Sequence, residues 1–333
     1  MNVTIKDVAR ECNVSPSTVS RVIAGSPRIS AETKEKVQEA IKKLNYHPNI
    51  IARSLANKAT KVMGLVLPSG EENLLENPFF IQVMTGISSY AKKSGYYIMY
   101  TFCKTEEEEL KTIKDYVNSN LVDGIILSVV RTEDKSVKYL QEREFPFVVI
   151  GRPEDTKNIL WVDNDNFQAM YNVVNKLVLS GHREIAFIGA GRKLNVTSDR
   201  LSGYMQAHKI HGLDINKDII VELEDFKESL AYDAMNEMLK NNKISAVVTT
   251  DDLLAMGANN CLKDNHITDV AIVGFNNIPL AGYQKPSLTS VDINAKKIGQ
   301  YAAKLLVDKL QDDVKLGHYI VNVDLVERES TKF

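Results

Sequence analysis

The sequence predicts an all-α helix-turn-helix head followed by a two-lobed α/β body. Three observations carry that prediction. Over the first 60 residues, apolar positions recur at helical spacing and are punctuated by Ser and Thr caps. From Lys61 onward, strand-like and helix-like runs alternate. Charge divides at the same place: residues 1–60 carry a formal +5 and the remaining 273 carry −7, which the chain total of −2 conceals. A basic head on an acidic body fits a head that meets a polyanion, although a solvated basic surface gives the same count.

Composition narrows the class. With 333 residues, 44% apolar and 25% charged, the chain reads as a globular protein of two or three domains, not a collagen-like, disordered or disulfide-framework chain. The longest apolar run, near Gly124–Val130, is far short of the roughly 18 residues of a membrane-crossing helix. The first seven residues lack the basic-then-apolar pattern of a secretory leader, so a cytoplasmic protein is expected. Cys12, Cys103 and Cys261 are far apart and lack CxxC spacing, which fits reduced thiols better than disulfides or zinc.

The head, residues 1–48, is justified element by element. Thr4, with Asp7 three residues on, opens a helix that continues through Ile5, Val8, Ala9 and Cys12. Asn13 tolerates the left-handed backbone of a tight turn. Ser15 caps a second helix with Pro16 at its first position, and Gly25 ends it. Ser30 caps a third, with Val37, Ala40, Ile41 and Leu44 facing inward. Two short helices about a three-residue turn, plus a third, make a helix-turn-helix module. Its second helix would enter a major groove, with Pro16, Ser17 and Ser20 at base edges and Arg21 reaching guanine or phosphate. Ser15 and Thr18 would touch phosphates, and Thr4 is counted with the DNA contacts. A three-helix scaffold without DNA would show the same period, but its outward positions would not favour Ser, Thr and Arg.

Three stretches, Thr4–Arg10, Val14–Val22 and Leu44–Asn49, closely resemble the lactose-repressor/galactose-repressor (LacI/GalR) family, and the resemblance continues more loosely to the C-terminus. It implies a palindromic double-stranded DNA operator, a homodimer and a small sugar effector. Residues 49–60 would be the hinge helix, which is too short to be stable alone. In the family, paired hinge helices enter the minor groove and kink it with a leucine. By motif position that leucine is Leu55, with Ala52 beside it, Arg53 as a phosphate contact and Asn49 at the segment's start. From the residues alone, this stretch reads as a flexible linker.

In the body, residues 61–333, strands are expected at Val62–Leu67, Tyr97–Phe102, Gly124–Ser128, Phe147–Ile150, Glu184–Ile188, Ala246–Thr250, Val270–Val273 and Ile320–Val326. Helices are expected between them, as in Phe79–Lys93, Asn166–Leu179 and Ala295–Gln311. The length suits two Rossmann-like lobes, about 61–160 plus 292–319 and about 161–291 plus 320–333. The resemblance implies the same periplasmic-binding-protein-like body with three crossovers.

Open α/β sheets bind ligands beyond the carboxyl ends of their strands. Those ends supply Ser69, Ser128, Arg152, Thr250, Asp251 and Asn276, with Arg200 after a further loop. Arg, Asp and Asn forks suit adjacent sugar hydroxyls, and aromatic rings suit a sugar's apolar face. The stacking candidates are Phe79, Phe80, Phe275 and Trp161, with Phe79 preferred over Phe80. Bland readings stand beside each: Arg200 paired to an acid, Asp251 capping a helix, Asn276 holding a turn, Trp161 in the core. The resemblance assigns Arg200 the effector-binding role through Asp199–Tyr204. Gly151-Arg152-Pro153, Val162–Asn166 and Phe275-Asn276-Asn277 are most similar to the maltose-operon repressor branch.

Enzymatic readings fail on the motifs. Gly189-Ala190-Gly191 lacks the third glycine of a dinucleotide fingerprint, and GxxxxGK[ST], HExxH and GxSxG do not occur. His208 and His211, three apart, read as exposed helix residues rather than metal ligands. No catalytic residue, metal or cofactor is expected. The expected function is a DNA-binding transcriptional regulator, a repressor of carbohydrate-utilisation genes released by a maltose-type sugar. The alternatives are a catabolite-control-type regulator governed by a phosphorylated carrier protein and a sugar-binding or sugar-active protein with an accessory head. The C-terminal residues hold no leucine heptads, so a dimer is expected rather than a tetramer.

Overall fold

The computed structural model describes residues 3–47, 59–68, 78–191, 193–314 and 317–332. The chain forms two compact units, Met1–Thr60 and Lys61–Phe333.

In the first unit, helices α1 (Ile5–Glu11), α2 (Pro16–Ile23) and α3 (Ala31–Lys43) enclose Val8, Ala9, Val19, Val22, Val37, Ala40 and Tyr46. The caps follow the residue chemistry. Thr4 donates its backbone N–H (3.0 Å) and its hydroxyl (2.7 Å) to the Asp7 carboxylate. Ser15 Oγ accepts from Thr18 N at 3.1 Å, and Ser30 Oγ accepts from Thr33 N at 3.3 Å. Asn13 takes φ 52, so the chain reverses left-handedly. Because α1 stops at Glu11, the turn runs from Cys12 to Ser15, one residue longer than the sequence pattern suggested.

The second unit holds two six-stranded sheets. The first contains β1 (Val62–Pro68), β2 (Tyr97–Cys103), β3 (Gly124–Leu127), β4 (Phe147–Ile150), β5 (Leu160–Asp163) and β11 (His318–Ile320), in the order β11-β5-β4-β3-β1-β2. All its pairings are parallel. The second contains β6 (Ile185–Ala190), β7 (Ile220–Leu223), β8 (Ala246–Thr249), β9 (Ala271–Phe275), β10 (Thr289–Asp292) and β12 (Asp324–Val326), in the order β12-β10-β9-β8-β6-β7. Its β12 edge is antiparallel to β10. The central strands are buried on both faces, as covered parallel sheets require.

Helix pairs cover the sheets. On the first, α4 (Pro78–Lys93) packs on α11 (Ala295–Leu310) through facing glycines. A Cβ at Gly86 would lie 2.0 Å from the Lys296 carbonyl oxygen, and one at Gly299 would lie 2.1 Å from that of Val83. On the second, α7 (Asn166–Leu179) pairs with α8 (Asn195–Ile210), and α9 (Glu228–Asn241) with α10 (Asp252–Asp264). Two further helices, α5 (Glu106–Asn118) and α6 (Lys135–Glu142), belong to the first lobe.

The crossovers correct the expected boundaries. β5 pairs with β4 and β11, so the first lobe runs to Asp163, not 160, and Trp161 belongs to it. The run expected as one strand, Ile320–Val326, divides between the sheets: Ile320 ends β11, and β12 begins at Asp324. The stretch changes sheets here while keeping a strand-like alternation of apolar residues with Asn322 and Asp324, so its pattern does not mark the crossing. Strands β5, β7 and β10 were not anticipated; each carries an acid among its four residues, without the uninterrupted apolar run of the equally short β3 and β4. Among the described residues, no helix is long and apolar enough to cross a membrane.

Candidate functional site

The carboxyl ends of the two sheets face each other across a cleft of about 750 Å³, counting its open mouth. Its polar wall comes from Ser128, Asp163, Asn164, Arg200, Thr250, Asp251 and Asn276. The apolar wall includes Phe79 and Phe80 from the start of α4, Val130, Ile150, Leu194 and Phe226. Phe79 and Phe80 meet edge-to-face at 5.0 Å, and both line the cleft.

Arg200 is the centre of the polar wall. It is buried on α8, where Nε donates to Asn166 Oδ1 at 3.0 Å and Nη1 to the Thr250 carbonyl at 2.5 Å. Its guanidinium lies over the Phe275 ring, 4.1 Å from the centroid. Burial pulls its pKa down to about 10, against the opposing carboxylates of Asp163, Asp251 and Asp252, so it stays protonated at neutral pH.

Asp163 ends β5. It accepts from Arg152 N (2.9 Å), Asn164 N (2.7 Å) and Asn166 Nδ2 (2.9 Å). Burial nevertheless dominates and raises its pKa to about 6. Asn164 joins the three crossovers, donating Nδ2 to the carbonyls of Ile293 (3.0 Å) and Val321 (2.8 Å). Asp251 caps α10 by accepting from Leu253 N at 2.7 Å, while its other oxygen accepts from Asn276 Nδ2 at 2.6 Å. Asn276 sits at φ 96, in the left-handed half of backbone space that Asn enters more readily than most residues. For both residues the bland reading and the cleft reading coexist.

Three expected effector contacts are placed elsewhere. Trp161 is 4% exposed in the first lobe's core, stacked on His318 at 4.6 Å, because β5 is covered on that face. Phe275 is wholly buried and supports Arg200 from behind. The Arg152 side chain is outside the cleft lining and forms a two-pronged ion pair with Asp199. His208, expected to be exposed, is buried against Tyr204 and bonds its carbonyl at 3.0 Å, because α8 packs on α7 and β6. Ser69 lies outside the described residues, as do Asn49, Ala52, Arg53 and Leu55.

Sequence reasoning did not select Asp163, Asn164 or Phe226 as cleft residues. Asp163 ends and Asn164 follows β5, a strand whose mixed polar and apolar residues gave no clear strand signal. Thr250 was visible as a strand end. Phe226 sits in an irregular stretch with no periodic signal, and only the tertiary fold brings it to the cleft.

In the head, Ser15, Pro16, Ser17, Ser20 and Arg21 present an exposed face on and before α2, with Thr18 half-buried and Thr4 exposed ahead of α1. Ser15 Oγ lies 2.7 Å from Ser17 Oγ and 2.9 Å from Thr18 Oγ1. These short hydroxyl side chains could rotate toward phosphate oxygens or base edges.

Residues 4–49 match the model of bacterial regulatory proteins of the lacI family, and residues 174–331 match that of the periplasmic binding protein-like domain. The HTH-type transcriptional regulator MalR of Streptococcus pneumoniae is 40% identical over 318 residues, covering 94% of each chain. MalR of Staphylococcus xylosus is 32% identical, covering 99% of this chain and 98% of its own. A solved complex of the transcriptional regulator CelR with cellobiose superposes with a TM-score of 0.77 at 28% identity, covering 99% of this chain and 100% of the other. These relatives are named as regulators of transcription, not as enzymes.

Proposed function

The chain belongs to the lacI family of bacterial regulatory proteins and is a transcriptional regulator of it, and from that premise we propose a homodimeric repressor of carbohydrate-utilisation genes, released from DNA by a neutral, maltose-type sugar. The Arg200 constellation carries the sugar reading. A buried guanidinium is fixed by Asn166, Thr250 and Phe275, beside Asp163, Asp251 and Asn276, and faces an aromatic wall. Planar donors and acceptors on one side suit vicinal hydroxyls; Phe79, Phe80 and Phe226 on the other suit the sugar's C–H face. The similarity to two MalR proteins and to a cellobiose-bound regulator supports a sugar of this size.

In this reading, the exposed hydroxyl and Arg21 face of α2 meets the operator, and each head reads one half-site. The hinge role of Asn49, Ala52, Arg53 and Leu55, and an effector contact from Ser69, are part of the proposal. A second copy would cover the edge strand β2, where Tyr97 is 60% and Tyr100 55% exposed. A regulator that works on bacterial DNA would act in the cytoplasm, and that localisation is part of the proposal. The sugar must bind the two lobe arrangements unequally to release DNA. Anisotropy with a family-type palindrome, with and without maltose at fixed salt, tests the proposal. Specific binding that no sugar alters, but that a phosphorylated carrier protein does, would favour the catabolite-control reading instead.

A further inference from the structure

The two lobes are tied together along one side of the cleft by bonds between protein groups. The segment after β6, residues 193–199, belongs to the second lobe, where Thr197 Oγ1 donates to the Ala190 carbonyl, and four of its residues also reach across to the first lobe. Thr132 N donates to the Lys193 carbonyl at 3.1 Å, and Arg131 and Leu194 form an antiparallel bridge. Asn195 Nδ2 donates to the Arg152 carbonyl at 2.9 Å. Arg152 grips Asp199 with both prongs, Nη2 to Oδ1 at 2.6 Å and Nε to Oδ2 at 3.2 Å. Arg131 is itself anchored in the first lobe, with Nη1 donating to Glu109 at 3.0 Å.

The inner side of the same segment faces the ligand space, where Leu194 and Val196 line the cleft. Asn164 bonds the three crossovers to one another, so the lobes can part only by turning about that seam. The strap crosses at the ends of β4 and β3, one and two strands from the crossover strand β5. Adjacent strands are about 4.8 Å apart. A small opening at the strap therefore becomes a larger one at the far edge of the cleft.

We propose that residues 193–199 form a strap that holds the cleft closed, with the Arg152–Asp199 fork as its releasable latch. The effector then passes the latch both on entering and on leaving. Arg152 controls exchange of the ligand without touching it. This rests on the cleft being the effector site, and it adds how access to that site is governed.

The test uses the full-length chain with Arg152→Met, which keeps the aliphatic stem and removes the fork, and Arg152→Lys, which keeps the charge and loses one prong. Spin labels at Lys138→Cys on α6 and Ser229→Cys on α9, both exposed, report the distance between lobes; Cys12→Ser removes the one cysteine that is not buried. The strap predicts a longer and broader distance distribution for Arg152→Met than for the parent, with Arg152→Lys between them. Stopped-flow with maltose should show association and dissociation both accelerated, roughly two- to fivefold, as expected for losing one partly exposed ion pair. An unchanged distance distribution overturns the strap. So does a dissociation rate that rises while association stays fixed, because that marks a direct ligand contact. If maltose binds neither protein, the maltose reading fails and the distances alone decide the strap.

Discussion

Arg200 lies over Phe275, 4.1 Å from the ring centroid, and the ring's burial from solvent makes that contact a rigid backing for the guanidinium. Two changes follow from it. Arg200→Met keeps the stem over the ring but removes the fork, and maltose affinity measured by calorimetry should fall roughly ten- to a hundredfold, since hydrogen bonds to a charged group contribute about 1.5–3 kcal/mol each. Phe275→Leu leaves the fork and removes its support, so it should weaken maltose binding less while lowering folding stability by about 1–3 kcal/mol. If Phe275→Leu weakened binding more than Arg200→Met, the ring would be touching the ligand after all.

The glycine pair between α4 and α11 sets a packing limit. With a Cβ at position 299 only 2.1 Å from the Val83 carbonyl oxygen, Gly299→Ala forces the helices apart. The expected cost is about 1–3 kcal/mol in urea denaturation, with operator recognition by the head unchanged. A variant as stable as the parent would mean the two helices slide freely past each other.

Asp163 links the cleft to pH. Its carboxyl titrates near 6 in the folded protein against an ordinary value of 3.8, because burial disfavours the charge. The folded state therefore holds this proton more tightly. The stabilisation it supplies is complete below about pH 3.8 and is lost as pH rises through about 6, a change of roughly 3 kcal/mol at most. Asp163→Asn should flatten that part of the stability curve between pH 4 and 6.5. Parallel curves for the two proteins would contradict the assignment.

On the head, Arg21 extends from the exposed end of α2. Arg21→Ala should weaken operator binding by about 1–3 kcal/mol. If it reads guanine, specificity at one position relaxes; if it meets phosphate, the salt slope falls by about one while base preference stays. No loss of affinity at any salt would remove Arg21 from the interface.

The legible parts of this chain were those where local chemistry decides the outcome. Thr4, Ser15 and Ser30 cap helices because their hydroxyls or carboxylate partners satisfy nearby N–H groups, and Asn13 turns because its side chain tolerates a positive φ. Arg200 was found through its family segment and the strand-end rule together. The illegible parts depend on which sheet a short strand joins. Trp161 looked like a stacking residue until β5 proved to be an interior strand of the first lobe. Arg152 followed a strand end as predicted, but its side chain turned toward Asp199, 47 residues away. Asn164 could not be recognised as the link between crossovers, because its partners lie 129 and 157 residues further along the chain.

Sugar-controlled release through Arg200 is tested by operator binding followed by anisotropy at fixed salt, titrated with maltose, for the parent and Arg200→Met. The parent should bind the palindrome specifically and be released by maltose, while Arg200→Met should bind equally well and stay bound. Release of both proteins at the same maltose concentration, or of neither, would contradict it.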